Sequence, residues 1–215
     1  RSLAGAVERA RKSSRRLVIL DAEDPEALLA ARLLAQQQLA DPILLGDLFK
    51  LETRAHELGF SLRGLDVHNP QRDKLREPYA QALHEVLGEE LALDLDEARR
   101  WVTDPQVFAA LTVARGEAEG VLGLARRDRG LEPLARALAI LPQRAKGSGE
   151  RKSGLHVIAR RDRTFVLTDT LGPRDPTSEE VADAALDAAN FVEHILGETP
   201  RVAIVAGATY GARSD

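Results

Sequence analysis

Arg126, Arg127 and Arg129 crowd into one short stretch, and a guanidinium offers a planar fork of donors that matches two oxygens of a phosphate or carboxylate. With Arg136 a little further on, such a group could hold an anion. Asp128 and Glu132 lie among them, however, and the same arginines would equally form local ion pairs on a solvated helix face. Asp169 follows the apolar run of residues 164–168, and the carboxyl end of a strand is where α/β sheets meet their ligands. Ahead of Gly172-Pro173 it could equally cap a loop. Thr209 and Gly211 belong to the glycine-rich turn Gly207-Ala208-Thr209-Tyr210-Gly211, whose backbone amides could cradle a phosphate. A phosphate loop usually borrows the N-terminus of a following helix, and no helix is read after this turn.

Other chemistries have less to work with. Cysteine is absent, which removes thiolate nucleophiles, disulfides and cysteine metal sites. The histidines at 56, 68, 84, 156 and 194 show no i, i+4 pairing of the kind that binds zinc, so no metal is expected. No nucleophile elbow, Walker loop or dinucleotide-binding glycine turn occurs. With 44% hydrophobic and 30% charged residues over 215 positions, the composition is that of an ordinary folded protein. No run approaches the length of a membrane span and no secretory leader pattern opens the sequence, so the cytoplasm is the expected compartment and no membrane partner is expected.

The net charge of −4 conceals a basic island: residues 126–163 carry 11 basic and 4 acidic groups, against an acidic excess on either side. Such an island could be plain surface, or it could attract a phosphate-bearing small molecule or nucleic acid. The chain has only 1 Trp, 2 Tyr and 5 Phe, so base stacking is poorly supplied and nucleic acid is the least favoured partner.

These candidates must be carried by elements. Residues 3–13 read as a helix and Arg16 to Leu20 as a buried parallel strand. Asp24-Pro25 is an N-cap and first-turn pair opening a helix whose Leu28, Leu29, Leu33 and Leu34 share a face. Ile43 to Leu45, a helix over 48–58 stopped by Gly59, and a weak strand over 65–67 continue the alternation. Residues 73–115 are helix-rich, with breaks expected at Pro78, Gly88 and Asp104-Pro105. Val121 to Leu124 reads as a strand and residues 131–141 as a helix. Gln143 to Gly154 is the linker candidate. Beyond it come a hairpin over 155–159 and 164–168, a capping box at Thr177-Ser178-Glu179-Glu180 opening a helix to about Leu196, and a last strand over 201–206. The expected class is α/β: a doubly wound three-layer sheet domain over 1–142, a linker over 143–154, and a shortened second α/β domain over 155–215.

One family shares this residue pattern. Asp169, Pro173 with Pro176-Thr177, Pro200 to Ala203 and the Ala208-Thr209-Tyr210-Gly211 turn resemble the corresponding stretch of phosphate acetyl- and butyryltransferases. Upstream, Asp24-Pro25 with Ala30-Ala31, the string from Leu39 to Gly46, Asp104-Pro105 with Phe108-Ala109, and Glu117 to Gly120 recur in that family's order. The resemblance covers residues 10 to 210. It implies transfer of an acyl group between coenzyme A and phosphate in a cleft between two α/β domains, with a carboxylate accepting the thiol proton and arginines holding phosphate. It implies no required cofactor, and coenzyme A or acyl-CoA as ligand; because the helices that finish the first domain in that family are not matched here, apolar surface is expected to be left open, and a homodimer through second-domain elements is the expected remedy.

Departures from the pattern qualify the activity. Glu132-Pro133 stands where the family carries an Arg-Pro that touches phosphate, and His84 to Gly88 replaces a basic segment. The family's final third, with a Ser-Arg and an Asp for the site, has no counterpart. The expectation is a phosphate acyltransferase-like protein with reduced or lost turnover; the alternative is a non-catalytic anion-binding, coenzyme A-binding or interaction protein of the same fold.

Overall fold

The computed structural model describes residues 2–124, 154–160, 163–168 and 177–205. Two compact units divide the chain, one of residues 9–149 and one of residues 1–8 with 150–215.

Helix α1 (Ser2–Lys12) begins among residues of the smaller unit and ends in the larger, where strand β1 (Arg16–Ile19) is followed by α2 (Pro25–Gln36), β2 (Asp41–Leu45), α3 (Leu48–Glu57) and β3 (Asp66–His68). Three helices, α4 (Arg76–Leu91), α5 (Leu95–Trp101) and α6 (Pro105–Ala114), then precede β4 (Gly120–Leu122). The strands form one parallel sheet in the order β3-β2-β1-β4, with Val18 opposite Ile43 on one side and Val121 on the other.

Successive side chains of a strand point to opposite faces, and both faces of this sheet are covered. Val18, Ile43 and Leu45 pack with Tyr79, Leu83, Val102 and Phe108 of α4 to α6. Ile19 and Leu44 pack with Leu28 and Ala31 of α2 and with Leu51 and Ala55 of α3. The sheet is therefore doubly wound, and the chain reverses its direction of travel between β1 and β4.

Asp caps α2, α3, α5 and α6. The Asp24 carboxylate accepts the N–H of Glu26 at 2.9 Å with Pro25 next to it, and Asp104 accepts those of Gln106 and Val107 at 2.8 and 3.3 Å. Two expected breaks are absent. Pro78 lies in the first turn of α4, where its missing N–H has no helical acceptor to serve. Gly88 lies within α4 against the His84 ring, in contact rather than at a stop. The apolar face of α2 also differs: Leu28 is buried with Ala27 and Ala31, whereas Leu29 and Leu33 are exposed.

In the smaller unit β5 (His156–Ala159) and β6 (Thr164–Leu167) form an antiparallel hairpin with Ile158 opposite Phe165, and the Arg160 N–H donates to the Arg163 carbonyl at 2.9 Å. Helix α7 (Ser178–Phe191) opens on the expected capping box, Thr177 and Glu180 each bonding the other's amide. A π-helical turn (Val192–Leu196) follows and Gly197, at φ 70°, ends it. Residues 201–205 are not a strand. A strand exists only by pairing, and Val202, Ile204 and Val205 are exposed with no ladder to join among the described residues. No described helix is long and apolar enough to cross a membrane.

Candidate functional site at the carboxyl edge of the sheet

All four strands of the larger unit end on one edge, and in doubly wound sheets the crevice outside that edge, at the point where strand order reverses, takes the ligand. Here that point lies between the ends of β1 and β4. The Leu20 N–H donates to the Leu122 carbonyl at 2.9 Å, and the Leu124 N–H donates to Asp21 Oδ2 at 2.7 Å.

Along the edge, Glu23 reaches from the loop after β1 to the loop after β2, accepting the Asp47 N–H at 3.0 Å and Lys50 Nζ at 3.2 Å. Asp47 Oδ1 in turn accepts the N–H groups of Phe49 and Lys50 at 3.1 and 3.3 Å and so caps α3. After β3, Asn69 Nδ2 lies 3.4 Å from Asp47 Oδ2, and His68 Nδ1 meets Asp73 Oδ2 at 2.7 Å with both side chains largely buried. Asp73 Oδ1 also accepts the Leu75 N–H at 2.8 Å, which sets the entry to α4.

The electrostatics of this edge follow from its residues. Asp21, Glu23, Asp24, Glu26 and Asp47 gather there against Lys50. The N-termini of α2 and α3, ordinarily attractive to anions, are occupied by the carboxylates of Asp24 and Asp47.

The six residues singled out from sequence, Arg126, Arg127, Arg129, Asp169, Thr209 and Gly211, all lie outside the described residues, as does Glu132. The edge residues that the structure does bring together were not read as a site. Part of their signal lies in the sequence: Asp21 and Asp47 come just after the apolar runs that form β1 and β2. No group of three His, Asp or Glu among the described residues is arranged to hold a metal ion.

The far, amino edge of the sheet is held by ion pairs and polar contacts. Arg16 bonds Asp66 at 2.6 Å and the Glu117 carbonyl at 3.0 Å, while the buried Tyr79 hydroxyl donates to Glu117 Oε2 at 2.8 Å and lies 3.2 Å from Thr112 Oγ1. Burial, reinforced by Glu117, pushes the Tyr79 hydroxyl well above the ordinary tyrosine range. Near α4 and α5, Arg99 forks onto Glu77 at 2.6 and 3.0 Å and also bonds Asp96. Its hydrogen bond holds Glu77 below the usual carboxylate range.

The chain matches the family described as "Phosphate acetyl/butaryl transferase" over residues 3–215. It is 34% identical over 214 residues to an NADP-dependent malic enzyme of Rhizobium meliloti, covering 98% of this chain and 27% of that protein. It is 28% identical over 205 residues to a phosphate acetyltransferase of Corynebacterium glutamicum, covering 94% of this chain and 60% of that protein. The chain thus spans about a quarter to three fifths of the length of these relatives. Among solved structures, a phosphotransacetylase from Streptococcus pyogenes superimposes with a TM-score of 0.84 at 21% identity, over 100% of this chain and 64% of that one. That likeness shows the fold.

Proposed function

The chain belongs to the phosphate acetyl/butaryl transferase family, and from that premise we propose that it acts on coenzyme A thioesters and phosphate, with turnover well below that of a phosphate acyltransferase that keeps the phosphate-contacting Arg. In this reading a phosphate oxygen attacks the thioester carbonyl, the C–S bond breaks, and coenzyme A leaves as the thiol once it has gained a proton. Arg126, Arg127 and Arg129 hold phosphate oxygens, Asp169 and the turn at Thr209 and Gly211 contribute further ligand contacts, and no cofactor or metal takes part. The observation that carries this reading is the family match over residues 3–215. Reduced turnover follows from Glu132, which stands where the family has a phosphate-contacting Arg; a lost contact of that kind costs about 3 kcal/mol.

A second reading, a non-catalytic coenzyme A-binding module, is favoured by the relative at 34% identity, which is named for malic enzyme activity and matches in 27% of its length. A thiol-release assay with acetyl-CoA and butyryl-CoA decides between them. Slow release that depends on phosphate supports the first reading. Coenzyme A binding without release supports the second, and neither binding nor release overturns both.

A further inference from the structure

The loop that follows β3 and the first turn of α4 border a cleft of about 250 Å³, lined by Asp73, Lys74, Arg76, Glu77 and Arg99. Its two carboxylates are already committed. Glu77 receives both prongs of Arg99, Nη2 on Oε1 at 2.6 Å and Nε on Oε2 at 3.0 Å. Asp73 holds His68 Nδ1 with one oxygen and the Leu75 N–H with the other. The remaining Arg99 nitrogen, Nη1, bonds Asp96 at 2.7 Å. Arg76 is placed differently: its Nη1 donates to the Gln71 carbonyl at 2.8 Å, while its Nε is buried with no acceptor. The Nε–Nη2 edge of a guanidinium points two parallel N–H bonds at two oxygens of one oxyanion, which is how Arg99 takes Glu77. On Arg76 that edge meets no acceptor among the described residues, and a buried donor left so is costly. Lys74, exposed beside it, likewise pairs with no described carboxylate. Leu75 brings no side-chain cap to α4, so the first turn adds partial positive charge at the same place.

We propose that this cleft is an oxyanion site, filled by a phosphate group that takes the Nε–Nη2 edge of Arg76 and the Lys74 ammonium. Three cations against two committed carboxylates leave the lining net positive. A volume of about 250 Å³ equals that of about eight liquid waters, ample for a phosphate group. Bound there, the phosphate supplies the buried Arg76 donor and fastens the loop after β3 to α4. The strand order β3-β2-β1-β4 sets this loop on the strand farthest from β4, so the site is separate from the crevice between β1 and β4. The phosphate is either the free inorganic anion or a group carried by a larger ligand such as coenzyme A, and the site does not depend on acyl transfer.

The Arg76 Nε–H gives its own nitrogen NMR signal, identified by its loss in Arg76→Lys, and titrating the full chain with inorganic phosphate at constant ionic strength reads the site directly. The signal should shift and saturate, and Lys74→Ala should weaken phosphate affinity by about tenfold, as loss of one charge-assisted contact does. If Arg76→Lys does not fold, through-bond correlation identifies the signal and Lys74→Ala carries the test. No saturable shift, an equal shift with chloride, or unchanged affinity in Lys74→Ala would overturn the site. Replacing Arg126, Arg127 and Arg129 together with Ala should leave the Arg76 shift as it is; its disappearance in that variant would overturn the site and give the phosphate to the arginines of the proposed reaction. Coenzyme A moving the same signal at lower concentration than phosphate would uphold the site and identify coenzyme A as the source. A response to inorganic phosphate alone would uphold it as a site for the free anion. None of these readouts uses thiol release, so a protein without acyl transfer leaves the site standing.

Discussion

Glu23 and Asp47 are joined through the main chain: the Asp47 N–H donates to Glu23 Oε1 at 3.0 Å, while the second Glu23 oxygen holds Lys50 Nζ at 3.2 Å. One side chain from the loop after β1 thereby fixes the loop after β2. Gly46 makes room for it, since a Cβ there would come within 3.0 Å of Glu23 Cγ. Glu23→Ala should lower stability by about 1 kcal/mol, the net value of an intramolecular hydrogen bond whose donor water can reach. The exposed ion pair with Lys50 adds little. Urea denaturation checks this; a variant as stable as the parent would show that the bridge contributes nothing.

Gly88→Ala runs against the usual rule. Inside a helix that exchange ordinarily gains about 1 kcal/mol. Here the new Cβ would fall 2.8 Å from His84 Nδ1, the atom bonded to the Leu93 carbonyl at 2.8 Å. The ring must move and the bond that closes the end of α4 is lost, so the substitution should destabilise by about 1 kcal/mol or more. A thermal midpoint raised by Gly88→Ala would show that the ring yields freely.

Tyr79 gives a pH dependence with a definite sign. Burial holds its hydroxyl protonated in the folded chain above the pH at which an exposed tyrosine ionises. Below about pH 10 both folded and unfolded chains keep the proton and the group adds no slope. Above it the unfolded chain releases the proton while the folded one retains it, so stability falls as pH rises. Tyr79→Phe should flatten that alkaline limb in thermal melts between pH 8 and 11. It should also cost about 1 kcal/mol at neutral pH through the lost hydrogen bond to Glu117. An identical alkaline slope in parent and variant would assign the limb to other groups.

The α/β order was legible because its signals are local. Apolar runs such as Leu17 to Leu20 and Ile43 to Leu45 mark buried strands, and Asp24-Pro25, Asp104-Pro105 and Thr177 mark helix starts by capping chemistry within three residues. Misreadings arose where the decisive contact is distant or positional. Pro78 signals a break only beyond the first turn, and Gly88 is explained by the His84 ring beside it. Leu29 and Leu33 share helical spacing with Leu28, yet the sheet lies on the side of Ala27 and Ala31. At the carboxyl edge the positions after the strands are legible but the partners are not: the bonds from Glu23 to Asp47 and from Asp21 to Leu124 cross between strands, and no spacing along the chain announces them.

If the basic island serves coenzyme A, whose adenosine end carries several phosphates, binding should weaken steeply with salt. Replacing Arg126, Arg127 and Arg129 together with Ala should abolish calorimetric heat for coenzyme A at low salt while leaving the melting temperature near that of the parent. A solvated surface would show no effect. Binding of single-stranded nucleic acid alongside silence toward coenzyme A would reassign the island.

The hairpin of β5 and β6 carries Ile158, Phe165 and Leu167 on one face, 46–50% exposed. A two-stranded hairpin is marginal in water by itself, and apolar residues gathered this way on a surface generally await a partner. A two-fold contact would bury the same residues on both copies, so a homodimer formed through this unit is the expected assembly. Light scattering at micromolar concentration should give twice the chain mass, and Ile158→Lys with Phe165→Lys should shift the protein to monomer while leaving the larger unit folded. A monomer of the unsubstituted chain at that concentration would sink the prediction. A dimer that survives both lysines would place the interface elsewhere on the chain.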